Sequence, residues 1–123
     1  MRHVAGIPPS MRLCGRAWRI VCTKRRPTWA RLEGTTAKDQ SALRDLETQQ
    51  IWIKNDGVID RMQERLAHEV AHVLLDDAYD SNEILRIAID GNTQIDEALT
   101  EALERPLLSL VRDNDFAWAR GNG

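Results

Sequence analysis

The sequence predicts an α+β fold with a sheet in its first half and helices in its second half. Apolar and polar residues alternate over residues 11–22 and again over residues 50–54, as they do in strands with one buried face. After residue 58 the apolar residues recur with the spacing of an amphipathic helix. We therefore expect a small N-terminal antiparallel sheet, made of a hairpin plus a strand near residues 49–54, packed on two long helices.

Length and composition indicate one domain that covers residues 1–123, with a flexible lead-in over residues 1–10 and a frayed tail over residues 119–123. No stretch approaches the ~18–20 apolar residues of a membrane span, so no membrane partner is expected. The N-terminus has no long apolar signal region, which predicts a cytoplasmic protein. Cys14 and Cys22 are expected to be buried thiols rather than a disulfide.

Charge is distributed unevenly along the chain, although the net charge is only −2. The first 31 residues contain eight Lys or Arg residues and no acid, whereas the remaining 92 residues contain nine bases and nineteen acids. A basic arm of this kind binds nucleic acid in some proteins. We favour the other interpretation, a basic strand face that pairs with acidic helices.

The predicted sheet begins with a hairpin over residues 11–22 that turns at Gly15 and has one basic face. Residues 37–47 are polar and are expected to form a loop or a short helix. In the strand that follows, Ile51 and Ile53 are expected to point to one side and Trp52 to the other. If this strand lies at the edge of the sheet, it can align an extended peptide by β-strand addition.

Three helices are expected in the second half. The first begins near Val58 and ends at Asp76-Asp77, and the second covers Glu83–Ile89. The third runs over residues 94–112, with Pro106 expected to bend or divide it. Its apolar stripe consists of Ile95, Leu99, Leu103, Pro106 and Leu110.

The first long helix carries the pattern His68-Glu69-x-x-His72. On an α-helix this spacing places both imidazoles on one face, where they can share a metal ion. Zn²⁺ accepts neutral imidazole nitrogens, and a catalytic zinc site leaves one coordination position for water. Glu69 would then act as the general base. Because the motif lies at one edge of the apolar stripe, we expect it at the lip of a cleft.

The third zinc ligand is expected to be a carboxylate. One class of zinc proteases continues the motif with x-x-G-x-x-H and uses the last histidine as third ligand. This class is excluded, because Leu75 stands at the glycine position and Ala78 at the histidine position. The remaining histidine, His3, lies in the lead-in, so a three-histidine site is not expected. The candidates on the last helix are Asp96, Glu97, Glu101 and Glu104.

The chain resembles the short phage and prophage metallopeptidase-like proteins related to the ImmA/IrrE group. Its opening Ile7-Pro8 and the glycine turn before Trp18 are similar to their first strand and turn. Gln50-Ile51-Trp52-Ile53 and the segment Arg65 to His72 are similar to their second strand and active-site helix. Further matches are Asp96-Glu97-Ala98-Leu99-Thr100-Glu101-Ala102-Leu103 and Leu110-Val111-Arg112-Asp113-Asn114.

This resemblance implies a minimal zincin of the gluzincin type that hydrolyses peptide bonds with Zn²⁺. It implies His68, His72 and Glu97 as ligands, with Glu101 as the fallback, and leaves Asp96 or a site without a third protein ligand as alternatives. It also implies a peptide or protein substrate, for which a DNA-binding repressor is the candidate. Tyr79 and Arg65 are candidates for stabilising the oxyanion.

Three other functions are compatible with the sequence. The first is a zinc-binding interaction module that no longer cleaves peptides. The second is a nucleic-acid binder that uses the basic N-terminal third. The third is a structural domain without metal. The oligomeric state is not encoded in any motif.

Overall fold

The computed structural model describes residues 4–25 and 41–113, which form a four-stranded mixed sheet and three helices, the first of which packs on the sheet. The α+β class predicted from the sequence is confirmed. The elements in chain order are β1 (Ser10–Leu13), β2 (Arg16–Thr23), β3 (Ala42–Asp45), β4 (Gln50–Lys54), α1 (Ile59–Ser81), α2 (Glu83–Ile89) and α3 (Thr93–Asp113).

The predicted hairpin is confirmed as the antiparallel pair β1 and β2. Its two-residue turn, Cys14 and Gly15, has φ angles of 53° and 79°. Positive φ at both positions is the property of the type I′ turn that suits the twist of a hairpin, and glycine adopts it without steric cost. Arg12 and Arg19 are exposed, which agrees with a basic face.

The sheet is not purely antiparallel, so that part of the prediction was wrong. The strand order is β1-β2-β4-β3, and β4 runs parallel to β2 and antiparallel to β3. A parallel pair needs a long connection, and the chain between Thr23 and Gln50 supplies one. β4 therefore lies inside the sheet rather than at its edge.

β3 corrects the expectation of a loop or short helix over residues 37–47, of which residues 37–40 lie outside the described part of the chain. Leu43 is buried and packs with Val21 and Trp52 on one face of the sheet. This packing and the ladder with β4 outweigh the polar composition of the segment. β3 is an edge strand.

The two faces of β4 bury different side chains, as predicted. Ile51 and Ile53 are both 0 % exposed and pack against the apolar stripe of α1. Trp52 points to the opposite face, where its indole N–H donates to the hydroxyl of Thr23 at 2.9 Å. The α1 residues in the main core are Met62, Leu66, Val70 and Val73.

α1 is longer than predicted, because it continues past Asp76-Asp77 to Ser81. The carboxylate of Asp76 accepts a hydrogen bond from Arg44 of β3, and this tertiary contact stabilises the helical conformation at Asp76. The chain leaves the helix at Asn82, whose side chain accepts the Leu85 N–H and caps α2. The predicted bounds of α2 are confirmed.

α3 is one continuous helix across Pro106, which therefore does not divide it. The predicted apolar stripe marks its buried face only in part: Leu99 and Leu103 are half-buried, but Ile95 and Leu110 are 41 % and 47 % exposed. Thr100 is fully buried, and Leu107 packs against the main core. The contact face is therefore mixed, and its polar part meets the histidines and the tyrosine of α1.

The first described residues pack more closely than a flexible lead-in would. Ile7 is 2 % exposed and belongs to the main core, and Pro8 is also buried. Residues 1–3 and the predicted tail 119–123 lie outside the described part of the chain. Cys14 is exposed and Cys22 half-buried, and both are free thiols. Within residues 4–25 and 41–113, no helix combines the length and the apolar character needed to cross a bilayer.

Candidate metal centre

His68 and His72 lie one turn apart on α1 with their Nε2 atoms facing each other at 3.1 Å. The rings are nearly perpendicular, at 81°, with centroids 4.7 Å apart. Two nitrogens bound at about 2.0–2.1 Å to one tetrahedral Zn²⁺ lie about 3.3–3.4 Å apart. The observed separation is within a few tenths of an ångström of this value. The pair therefore fits two adjacent positions of a tetrahedral zinc site.

The other nitrogen of each ring faces α3. Nδ1 of His68 is 3.2 Å from a carboxylate oxygen of Glu104, and Nδ1 of His72 is 3.5 Å from the hydroxyl of Thr100. Thr100 donates its own proton to the carbonyl of Asp96 at 2.8 Å, so it can only accept from His72. Both contacts favour the tautomer with a proton on Nδ1. This tautomer directs both Nε2 lone pairs into the space between the rings, as in metal-binding histidines.

His72 is half-buried, and burial lowers its pKa, with the nearby positive groups Arg44 and His68 acting in the same direction. The carboxylates of Asp96 and Glu97 oppose this shift. A lower pKa keeps the imidazole neutral over a wider pH range. Neutral imidazole is the form that binds a metal.

Glu69 lies beside His68 with only 6 % of its surface exposed. Its Oε2 atom is buried and has no hydrogen-bond partner among the described residues. Burial raises the pKa of Glu69, and the guanidinium of Arg44, 3.7 Å away, partly opposes the shift. Oε2 of Glu69 therefore has an ion-pair partner in Arg44 but no hydrogen bond within the described part of the chain, next to two facing imidazoles. A buried carboxylate with a shifted pKa in a cleft is a candidate for a functional group.

The predicted third ligands occupy different environments on α3. Glu97 lines the same cleft as the two histidines, whereas Glu101 is exposed and does not line it. Asp96 accepts the hydroxyl proton of Tyr79 at 2.8 Å. Glu104 contacts His68 through Nδ1, the nitrogen that faces away from His72. Within the described part of the chain, no three or more His, Cys, Asp or Glu side chains converge as a complete metal site.

Neither residue considered for the oxyanion is available in the observed arrangement. Tyr79 donates to Asp96, and its burial together with this bond raises the pKa of Tyr79 to about 12. Arg65 donates to the Lys54 carbonyl and pairs with Asp56 at 2.8 Å. Arg44, which the sequence analysis did not single out, is the guanidinium beside Glu69. It comes from β3, the strand that the sequence analysis missed.

A cleft of about 930 Å³ opens over the motif. β3 and the turn after it form one wall, α1 forms the floor, and Glu97 and Glu104 of α3 contribute the opposite side. The expectation that β4 aligns a peptide is wrong, because β2 and β3 flank it on both sides. The sheet edge beside the cleft belongs to β3.

No family model, curated protein or solved structure matches this chain. The resemblance to the ImmA/IrrE group thus stays a prediction, and the functional argument rests on the chain's own residues.

Proposed function

We propose that this protein is a zinc-dependent peptidase of the minimal zincin type. The observation that carries the proposal is the pair of Nε2 atoms 3.1 Å apart, whose other ring nitrogens face Glu104 and Thr100, with the buried carboxylate of Glu69 beside them. A metal ion bound by the two Nε2 atoms would give this arrangement of imidazoles a chemical purpose. Glu69, which has an ion pair with Arg44 but no hydrogen bond to Oε2 among the described residues, would lie next to the ion.

His68 and His72 would hold the ion together with Glu97, the predicted ligand that lines the cleft. Bound zinc supplies a Lewis acid that polarises a carbonyl and lowers the pKa of water towards ~7. Glu69 takes the proton of the attacking water and later delivers it to the leaving amine. Arg44 stabilises the ionised form of Glu69 against the effect of burial.

The substrate would be an extended peptide that adds to the outer edge of β3. Among residues 4–25 and 41–113 no strand pairs with this edge, and the residues of β3 line the cleft. Main-chain hydrogen bonds along such an edge bind a peptide with little dependence on its sequence. By resemblance, a DNA-binding regulator in the cytoplasm of a phage host is the candidate protein substrate.

The test combines metal analysis with a peptide-cleavage assay. Purified wild type should contain about one Zn²⁺ per chain, and His68→Ala should lose it. Glu97→Ala should bind zinc more weakly, whereas Glu69→Gln should keep the metal and lose turnover of a mixed peptide library followed by mass spectrometry. Full zinc occupancy in His68→Ala would overturn the proposal. Full occupancy in Glu97→Ala would reassign the third ligand.

A second candidate is a zinc-binding interaction module without activity. The observation in its favour is that Glu69 is directed against Arg44 and is almost entirely buried. If the wild type binds zinc but cleaves no peptide in the library, and Glu69→Gln binds partners equally well, this second function is the correct one.

A further inference from the structure

The cleft over the motif has an excess of negative charge. Six carboxylates line it: Asp45, Glu47, Glu64, Glu69, Glu97 and Glu104. Three guanidinium groups also line it, but two of them have acidic partners outside the lining. Arg44 pairs with Asp76 at 3.1 Å as well as with Glu69 at 3.7 Å, and Arg65 pairs with Asp56 at 2.8 Å. Glu64 is compensated in the same way by Arg112, 3.9 Å away, so the excess lies with the other acids.

A bound zinc ion does not cancel this excess. Its charge would be balanced at the metal by Glu97 as ligand and by Glu69 beside it. Asp45 and Glu47 belong to the end of β3 and the turn that follows, and neither is a proposed zinc ligand. Their negative charges are therefore free to attract positive groups of a ligand that extends along β3. The wall of a cleft concentrates the electric field of such charges.

The geometry of the cleft supports a bound peptide in a second way. Glu69 is more than nine-tenths buried and lines the cleft, and its Oε2 has an ion pair with Arg44 but no hydrogen bond among the described residues. The outer edge of β3, with which no described strand pairs, runs along the same cleft. Both features belong to the cleft wall and floor where a peptide would lie.

We propose that the cleft selects extended peptides with Lys or Arg side chains and discriminates against acidic ones. This inference rests on the proposed function, because it names the substrate class of the same site. The basic side chains would reach Asp45 and Glu47 while the peptide backbone pairs with β3. Discrimination arises mainly from repulsion of acidic peptides, as charge matching gives specificity more than affinity.

The experiment uses the zinc-loaded full chain and two short fluorescein-labelled, amidated peptides that differ only in two Lys or two Glu residues. Fluorescence anisotropy measures binding, and mass spectrometry measures cleavage in the same samples. At low salt the Lys peptide should bind at least about tenfold more tightly, and high salt should reduce the difference. Glu47→Lys should weaken binding of the Lys peptide about threefold. Glu83→Lys, the same change on exposed α2 outside the cleft, should leave it unchanged.

The possible outcomes separate this inference from the proposed function. Equal binding of both peptides, or an unchanged preference in Glu47→Lys, overturns the basic selectivity even if both peptides are cleaved. Selective binding that depends on Glu47 but yields no cleavage products supports the selectivity and contradicts the peptidase proposal. Selective binding with cleavage of the Lys peptide supports both.

Discussion

Glu104 provides the sharpest test of how the histidine pair is held. Its carboxylate accepts a hydrogen bond from Nδ1 of His68 at 3.2 Å, although Glu104 lies on a different helix, 36 residues further along the chain. Groups that orient a metal-binding histidine typically contribute 10–100-fold to metal affinity. The two side chains are 33 % and 30 % exposed, so solvent screens the contact and the lower end of that range applies.

We therefore expect Glu104→Gln to weaken zinc binding about tenfold, which corresponds to about 1.4 kcal/mol of binding free energy. Gln keeps an acceptor at the same place but loses the charge, so Glu104→Ala should weaken binding further. The matched control is Glu83→Gln, which makes the same charge change at an exposed side chain of α2 outside the cleft.

Competition against a chromophoric zinc chelator measures the affinities, and thermal unfolding with and without zinc provides a second readout. At zinc concentrations well above Kd, a tenfold loss of affinity lowers the stabilisation by bound metal by about 1.4 kcal/mol. The metal-free variants should unfold at nearly the same temperature as the wild type. If Glu104→Gln and Glu83→Gln both bind zinc within about twofold of the wild type, the orienting role of Glu104 is refuted.

Three further predictions concern stability. Glu69→Gln should stabilise the metal-free protein at neutral pH by about 1–2 kcal/mol, because burial raises the pKa of Glu69 in the folded chain and makes its ionised form unfavourable. This gain in the free energy of unfolding should be absent below pH 4.5, the ordinary pKa of a glutamate, and complete above the raised pKa of the folded protein. Urea unfolding of both proteins at several pH values measures it. Pro106→Ala should raise the melting temperature by several degrees, since the proline interrupts hydrogen bonding in a continuous helix at a cost of up to ~3 kcal/mol; a lower melting temperature would contradict this. Trp52→Phe and Thr23→Val should show a coupling of about 1 kcal/mol in a double-mutant cycle, and additive effects would argue against their hydrogen bond.

The parts of the fold with one unambiguous periodicity were predicted correctly. The strand around Ile51 and Ile53 and the apolar stripe of α1 each bury one face against the other, so the sequence pattern and the packing agree. β3 was missed because it has four residues, of which only Leu43 is buried. A strand of this length is determined by its pairing with β4 rather than by its own sequence. The parallel pairing of β2 and β4 is likewise a property of the connection between them.

In the candidate site, too, the local part was predicted from the sequence and the long-range part was not. His68, Glu69 and His72 are local on one helix, so their spacing alone predicts that the imidazoles meet. Arg44 and Glu104 reach them from other elements, and such long-range contacts have no signature in the sequence of either segment. The apolar residues of α3 predicted only part of its buried face, because α1 also presents polar side chains to this helix.

The polar contacts between α1 and α3 are themselves an argument for function. Along the two antiparallel helices, His68 meets Glu104, His72 meets Thr100, and Tyr79 bonds to Asp96. Leu107 of α3 packs against the main core, as in any pair of amphipathic helices, so apolar packing supplies part of the interface. Polar groups contribute little to stability even when they are hydrogen-bonded, and apolar packing alone does not require three such contacts in one interface. Departures of this kind are expected where a site has requirements that stability does not have. The same reasoning applies to Glu69, because its buried Oε2 has an ion pair with Arg44 at 3.7 Å but no hydrogen bond among the described residues.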